Sequence, residues 1–149
     1  MQVFVSTHVG KLDEKLRVSV PSSFRQLIEA SGGSLIYAYP SFRNQAIEVL
    51  TIERMQEVQK YIEALDLFSQ EREALETSIL AASQALNLDS KGRVMLSGEL
   101  VEFAGIEKDI IFVGKGRVFE IWSPVIFKLH YEKSRLSALK NLTEKGGMR

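Results

Sequence analysis

The sequence predicts a β-rich α+β fold: two repeats of one chain forming a single small barrel of pseudo-twofold symmetry, with helices packed outside it. Three observations predict this. The stretch LDEKLRV at 12–18 returns as LDSKGRV at 88–94, so that Leu12, Asp13, Lys15, Arg17 and Val18 fall on Leu88, Asp89, Lys91, Arg93 and Val94 at an offset of 76. The segments downstream of the two stretches also repeat in kind, which is the mark of an internal duplication. Finally, a repeat of roughly 70 residues has little core of its own, so both repeats must contribute strands to a shared one.

Each element carries its own signal. VSVP (18–21) and VMLS (94–97) are short apolar strands. PSSFRQLIEASGG predicts a helix from Ser22 to Ala30, with Pro21 at its start and Gly32 or Gly33 at its end. SGELVEFAG predicts the matching helix from Ser97 to Ala104, closed by Gly105. Apolar strands come next, LIYAY (35–39) with AIEVL (46–50), and IIFV (110–113) with VFEIW (118–122). GKGR (114–117) has the composition of a compact hairpin turn and lacks the spacing of a phosphate loop. PSFRNQ makes the equivalent turn longer, so that Glu48 aligns with Glu120 at an offset of 72. Thr51 caps a helix that carries Met55, Val58, Ile62 and Leu65 at helical spacing, and Ser123 followed by Pro124 starts its counterpart, 123–139. A further helical stretch runs from Ser69 to Leu80 before ASQALNL opens the next strand. Phe119 and Trp122 are expected to fill the barrel. The domain reading is a first repeat at 1–68, a connecting helix at 69–81, a second repeat at 82–139 and a frayed tail at 140–149.

Composition narrows the functional classes. The 149 residues include no cysteine, so neither a disulfide framework nor a thiolate metal site is possible. His8 and His130 are the only histidines. No metal or other cofactor is expected, and no paired carboxylates or nucleophile–histidine pattern points to an enzyme. No apolar run reaches membrane-spanning length, and MQVFVSTHVGKLDEK lacks the form of a signal peptide. A cytoplasmic protein is expected. The formal net charge of zero argues against nucleic-acid binding, but its distribution is uneven. Residues 53–76 hold seven acidic and three basic side chains, and residues 128–149 hold six basic and two acidic ones. An assembly could therefore carry acid on one side and base on the other.

The repeated D-x-K-x-R pattern has two readings. In one, Asp and Arg form a local charge pair across a turn, and Gly92 supplies a positive φ. In the other, the aspartates hold arginine forks for guanine or phosphate, and the lysines add point charges for phosphate. The residues of the second reading are Arg17, Arg93, Lys15 and Lys91, with Lys11 and His8 just upstream, oriented by Asp13 and Asp89. One chain makes few such contacts, so useful affinity needs several subunits.

A doubled Asp-x-x-x-Arg motif in a chain of this length resembles the MraZ family of bacterial transcriptional regulators. The stretch LDSKGRVMLSGELVEFAGIEKDIIFVGKGRVFEIWS carries the similarity in the second repeat. Leu12, Asp13, Lys15, Arg17, Val20, Pro21, Phe24 and Arg25 carry it in the first. The resemblance spans roughly residues 2–135. It implies a double-psi, swapped-hairpin barrel of the AbrB-like kind. It implies a ring-shaped homo-oligomer of about eight subunits, closed by cyclic symmetry. It also implies nucleoid-associated binding, through the motif loops, to short G-rich direct repeats in duplex promoter DNA. That promoter is expected upstream of the cell-division and cell-wall gene cluster, often including the member's own gene. The departures are Leu16 where the family has glycine, Glu14 beside the basic residues, and the start VFVSTHVGK. A different class of function is an antitoxin-like interaction module that docks a protein partner through the helical region 52–80.

Overall fold

The two repeats are tied together by exchanged strands. The computed structural model describes residues 3–144. In the first repeat β1 (Thr7–Lys11), β2 (Arg17–Ser19) and α1 (Ser22–Ala30) precede the hairpin β3 (Leu35–Pro40) and β4 (Ile47–Thr51). Helices α2 (Ile52–Glu63) and α3 (Gln70–Leu75) and a π-helical stretch, Glu76–Ala81, lead into the second repeat. There β5 (Gln84–Asn87), β6 (Arg93–Met95), α4 (Gly98–Phe103), β7 (Asp109–Gly114), β8 (Phe119–Trp122) and α5 (Pro124–Glu144) follow in the same order.

Six strands form one antiparallel sheet in the order β1-β7-β8-β4-β3-β5, and β2 and β6 form a separate two-stranded ribbon. The order reads the same from either edge once the repeats are interchanged. β1 of the first repeat pairs with β7 of the second, and β5 of the second pairs with β3 of the first. At the centre, equivalent residues face each other: Glu48 lies opposite Glu120, and Val18 opposite Val94. This is the pseudo-twofold symmetry expected from the repeat.

The sheet itself is open, with β1 and β5 as edges. The closed barrel expected from the sequence is not present as a continuous ladder. β2 and β6 are three residues long and pair with each other, which leaves no strand to bridge the two edges. Ribbon and sheet nonetheless enclose one core. Val18 and Val94 on the inner face of the ribbon join Phe24, Leu100, Phe112 and Phe119 in it. Phe24 lies 4.9 Å from Phe119 and 5.1 Å from Phe4 between ring centroids. Burying an aromatic or branched side chain of this size contributes about 1.5–3 kcal/mol.

Helices α1 and α4 contribute to that core, whereas α2 and α5 cover the opposite face of the sheet. Thr51 caps α2, its Oγ1 accepting from the Arg54 N–H at 3.1 Å. The stripe on α2 packs inward: Ile62 is buried, and Met55 and Val58 lie against Tyr39, Leu50 and Ile79. α5 covers Ala46, Val113 and Trp122 through Ile126 and Phe127. Here the sequence expectation needs correction. Phe119 fills the core, but Trp122 does not. Strand side chains alternate, so residue 122 shares its face with Glu120. The Trp122 indole N–H accordingly donates to Glu120 at 2.8 Å, under α5. The tail expected from residue 140 is helical through Glu144, and residues 145–149 lie outside the described residues. From Tyr131 onward every described side chain of α5 is exposed.

Candidate nucleic-acid interface

Two nearly superimposable loops lead into the ribbon. In the first, Asp13 Oδ1 accepts from the backbone N–H of Lys15 at 2.9 Å and of Arg17 at 2.8 Å, and Oδ2 accepts from Arg17 Nε at 2.8 Å. In the second, Asp89 Oδ1 accepts from the N–H of Lys91 and of Arg93, and Oδ2 from Arg93 Nε, all at 2.9 Å. The main chain closes each loop as well: Asp13 N–H donates to Arg17 O at 3.0 Å, and Asp89 N–H to Arg93 O at 2.8 Å. Aspartate suits this task because its short carboxylate reaches N–H groups two and four residues ahead. The turn also needs a left-handed residue. Gly92 adopts φ 76° at no steric cost, whereas Leu16 holds φ 61° despite its side chain. Leu16 packs against the main core, which offsets the strain.

The backbone N–H of Arg17 is the main cause that holds the Asp13 carboxyl below the ordinary carboxylate range; desolvation opposes it, and the guanidinium and the Lys15 N–H reinforce it. The same ranking applies to Asp89, with Arg93 first. Both carboxylates are therefore ionised hydrogen-bond acceptors at neutral pH.

The loops are stitched to each other. Val20 N–H donates to Gly92 O at 3.0 Å and Leu96 N–H to Leu16 O at 2.8 Å, extending the ribbon at both ends. Arg17 pairs with Met95, and Ser19 with Arg93. With Val18 and Val94 turned inward, Arg17, Ser19, Arg93 and Met95 share the outer face. Arg17 and Arg93 are diagonal neighbours there, with backbones about 7–8 Å apart. Each guanidinium uses Nε for its aspartate. Among the described residues, no hydrogen bond engages the terminal nitrogens of either arginine. Two forks thus face outward from one ribbon, each with fixed orientation, and Lys15 and Lys91 are exposed beside them.

The remaining sequence candidates lie apart. Lys11 ends β1 and pairs with Asp109 at 3.5 Å. His8 packs edge-on against Phe24, with ring centroids 5.2 Å apart, and so faces the core. Alternation along β1 accounts for this. The sequence reading passed over two residues of this surface. Met95 stands exposed beside Arg17 in the register, which the period of two in VMLS could have shown. Arg25, on α1, lies across Gly92 of the other repeat, where a Cβ would meet its Nη1 at 2.5 Å. No sequence signal links residues 25 and 92. No group of three or more His, Cys, Asp or Glu residues among the described residues is placed to hold a metal.

Fold and site together define an internally duplicated, strand-exchanged α+β protein that presents two Asp-oriented arginines on one ribbon. The family described as "MraZ protein, putative antitoxin-like" matches residues 79–145. A protein of Rickettsia canadensis named "Transcriptional regulator MraZ" is 43% identical over 145 residues, covering 97% of this chain and 95% of its own. Proteins of the same name from Rickettsia akari and Pelagibacter ubique are 42% and 41% identical, covering 91% and 93% of this chain and 91% and 86% of their own. The chain belongs to the MraZ family.

Proposed function

We propose that this protein is a transcriptional regulator that binds duplex promoter DNA through the outer face of the β2–β6 ribbon. One observation carries the reading: Asp13 and Asp89 fix two arginine forks on one exposed face. A two-stranded ribbon fits the major groove, and an arginine fork matches O6 and N7 of guanine. Arg17 and Arg93 would read guanine, and Lys15 and Lys91 would bind flanking phosphates. The target, by family resemblance, is a set of short G-rich direct repeats upstream of the cell-division and cell-wall genes. The setting is the nucleoid in the cytoplasm. No described helix is long and apolar enough to cross a membrane. The swapped-hairpin barrel belongs to the same proposal, and the exchange of β1 and β5 between repeats supports it.

A homo-oligomeric ring supplies the affinity that one ribbon lacks, because linked sites multiply weak contacts. The chain carries two unlike surfaces suited to such a contact. An apolar groove of about 870 Å³ lies between Val9 and Gly10 of β1, Ile110 of β7, and Pro124 and Val125 of α5. The corner between α2 and α3 projects Leu67 and Phe68, the latter 92% exposed. Acidic Glu63, Asp66, Glu71 and Glu73 surround that corner with Arg72 among them, while the groove is lined by Lys11 and Lys108 as well as Glu107 and Asp109, and α5 beside it bears Lys128, Lys133 and Arg135 with Glu132. Corner into groove is a head-to-tail contact, which gives a ring when the rotation between subunits closes and an open filament when it does not. The rival docking of a foreign protein through 52–80 has lost its apolar stripe, because Met55, Val58 and Ile62 are used inside the chain.

A mobility-shift titration on the DNA upstream of this gene's own cluster tests the reading. Wild type and the Arg17→Ala/Arg93→Ala double variant are compared at two salt concentrations, with sizing to check the ring. Salt-sensitive, specific binding that disappears in an intact double variant is the expected result. An intact wild-type ring without specific binding would reduce the loops to structural ion pairs.

A further inference from the structure

We propose that Arg25 completes a phosphodiester-binding site on the second Asp–Arg loop, so that the two loops of one chain contribute unequally to DNA binding. This rests on the DNA-binding reading above and deepens it.

The site begins with a space that only glycine leaves. A Cβ on Gly92 would meet Arg25 Cδ at 2.4 Å, Nη1 at 2.5 Å and Nε at 2.8 Å. The guanidinium of a first-repeat helix therefore lies directly on the second repeat's motif loop, at a residue with φ 76°. Lys91 and Arg93 flank that residue in sequence. Arg25 forms no ion pair among the described residues, and its Nε is buried without a hydrogen-bond partner. A buried, unpaired donor on a cation costs free energy in the DNA-free protein. An anion bound beside it would offset that cost.

The first loop has lost this arrangement. At the same offset of 76, Arg25 corresponds to Val101 and Gly92 to Leu16. Leu16 and Val101 both pack against the main core, so an apolar pair stands where the second loop has a glycine under a cation. Charge follows the same division. Around the second loop Arg25, Lys91 and Arg93 face one carboxylate, Asp89, because Ser90 stands where the first loop has Glu14. Around the first, Lys15 and Arg17 face two, Asp13 and Glu14. The second loop is left with two net positive charges and the first with none. A backbone phosphate carries one negative charge and takes a planar guanidinium well. The second loop is accordingly the phosphate anchor, and the first contributes mainly through Arg17.

The test measures binding against salt by fluorescence anisotropy. The probes are the duplex upstream of the gene and a scrambled duplex of equal length, and the proteins are wild type, Arg25→Gln, Arg25→Lys and Leu16→Gly/Val101→Arg. A phosphate contact contributes about 0.9 to the slope of log K against log salt. Arg25→Gln should weaken binding to both duplexes by the same factor and flatten the slope by about that amount per engaged site. Arg25→Lys should retain most of the slope. The Leu16→Gly/Val101→Arg protein, which rebuilds the site on the first loop, should steepen it. An intact Arg25→Gln ring with the wild-type slope overturns the proposal. If that variant fails to assemble, the rebuilt loop decides: a steeper slope supports the site and an unchanged one overturns it. Failure of wild type to prefer its own promoter would instead sink the DNA-binding reading, and this proposal with it.

Discussion

Glu48 and Glu120 face each other across the pairing of β4 and β8, and both are buried. They are equivalent residues of the two repeats, so two carboxylates meet where the pseudo-twofold axis crosses the sheet. Each has its own partners, although Glu120 Oε2 is buried without one among the described residues. Glu48 accepts from the Tyr39 hydroxyl and, at 3.3 Å, from Arg43. Burial and this carboxylate push the Tyr39 phenol far above its ordinary pKa. Glu120 accepts from the Trp122 indole at 2.8 Å and lies 3.6 Å from Lys115 Nζ. Glu120→Ala should therefore leave the indole N–H buried and unpaired, at a cost of about 1–3 kcal/mol. Trp122 is the single tryptophan of the chain. Urea unfolding followed by its fluorescence reads the loss directly, and an unchanged midpoint would show that the pairing adds nothing.

The aspartates of the loops separate orientation from net charge. Asp89→Asn makes the ribbon more positive, and charge alone predicts tighter DNA binding. Orientation predicts the reverse, because Oδ2 no longer accepts from Arg93 as a full carboxylate. The expected result is weaker specific binding, by about 1–3 kcal/mol for a lost guanine contact, with non-specific binding equal or stronger. Binding of Asp89→Asn to promoter and scrambled duplexes at one salt concentration distinguishes the two.

The same aspartates fix a pH dependence. Their native pKa values are depressed, chiefly by the backbone N–H of Arg17 and of Arg93. A depressed carboxylate pKa contributes stability that is complete above the unfolded value, about 3.9, and is lost as pH falls through the lower native value. The loops should thus stay ordered through mild acid. Carboxyl carbon shifts of Asp13 and Asp89 should titrate below the ordinary aspartate value of about 3.9. Titration of both at that ordinary value would contradict the loop hydrogen bonds.

Most of this was legible because the duplication let each repeat check the other. Strands, caps and the hairpin turn lie close to where periodicity, Thr51 and GKGR placed them. The Asp–Arg loops were visible as a spacing. That strands are exchanged between repeats came only from the family resemblance, and the particular pairings of β1 and β5 did not show, since pairing over that separation in sequence leaves no local pattern. Trp122 was misplaced because residues 119 and 122 differ in strand parity. Arg25 was visible as part of the family motif but not as a site residue, because its partner loop belongs to the other repeat.

Gly92 and Leu16 occupy the same turn position but should not interchange. Gly92→Leu sets a Cβ at a positive φ and drives it into Arg25, 2.4 Å away. The positive φ should cost about 1–2 kcal/mol, and Arg25, met at the flexible end of its side chain, must also shift. Leu16→Gly removes the strain of φ 61° and loses half-buried packing, two effects of similar size. Its net change should stay within about 1 kcal/mol. Thermal melts of the two variants should differ clearly, with Gly92→Leu the less stable; equal melting temperatures would mean that Arg25 moves aside without cost.

Phe68 tests the assembly without touching the fold. At 92% exposed it packs on little of its own chain, so Phe68→Ser should change subunit stability by no more than about 0.5 kcal/mol. If the corner seats in the groove of the next subunit, that substitution removes the central apolar contact of the ring. Native mass measurement should then show smaller species at micromolar concentration. DNA affinity should fall by about 10²-fold or more, because the ribbons no longer act together. Val125→Glu, which places a carboxylate on the facing groove, should give the same result through repulsion from Asp66 and Glu71. Arg93→Ala should do the opposite, losing affinity while the ring persists. A Phe68→Ser protein that kept both its size and its affinity would remove the corner from the interface and leave the exposed face of α5 as the surface to be mutated next.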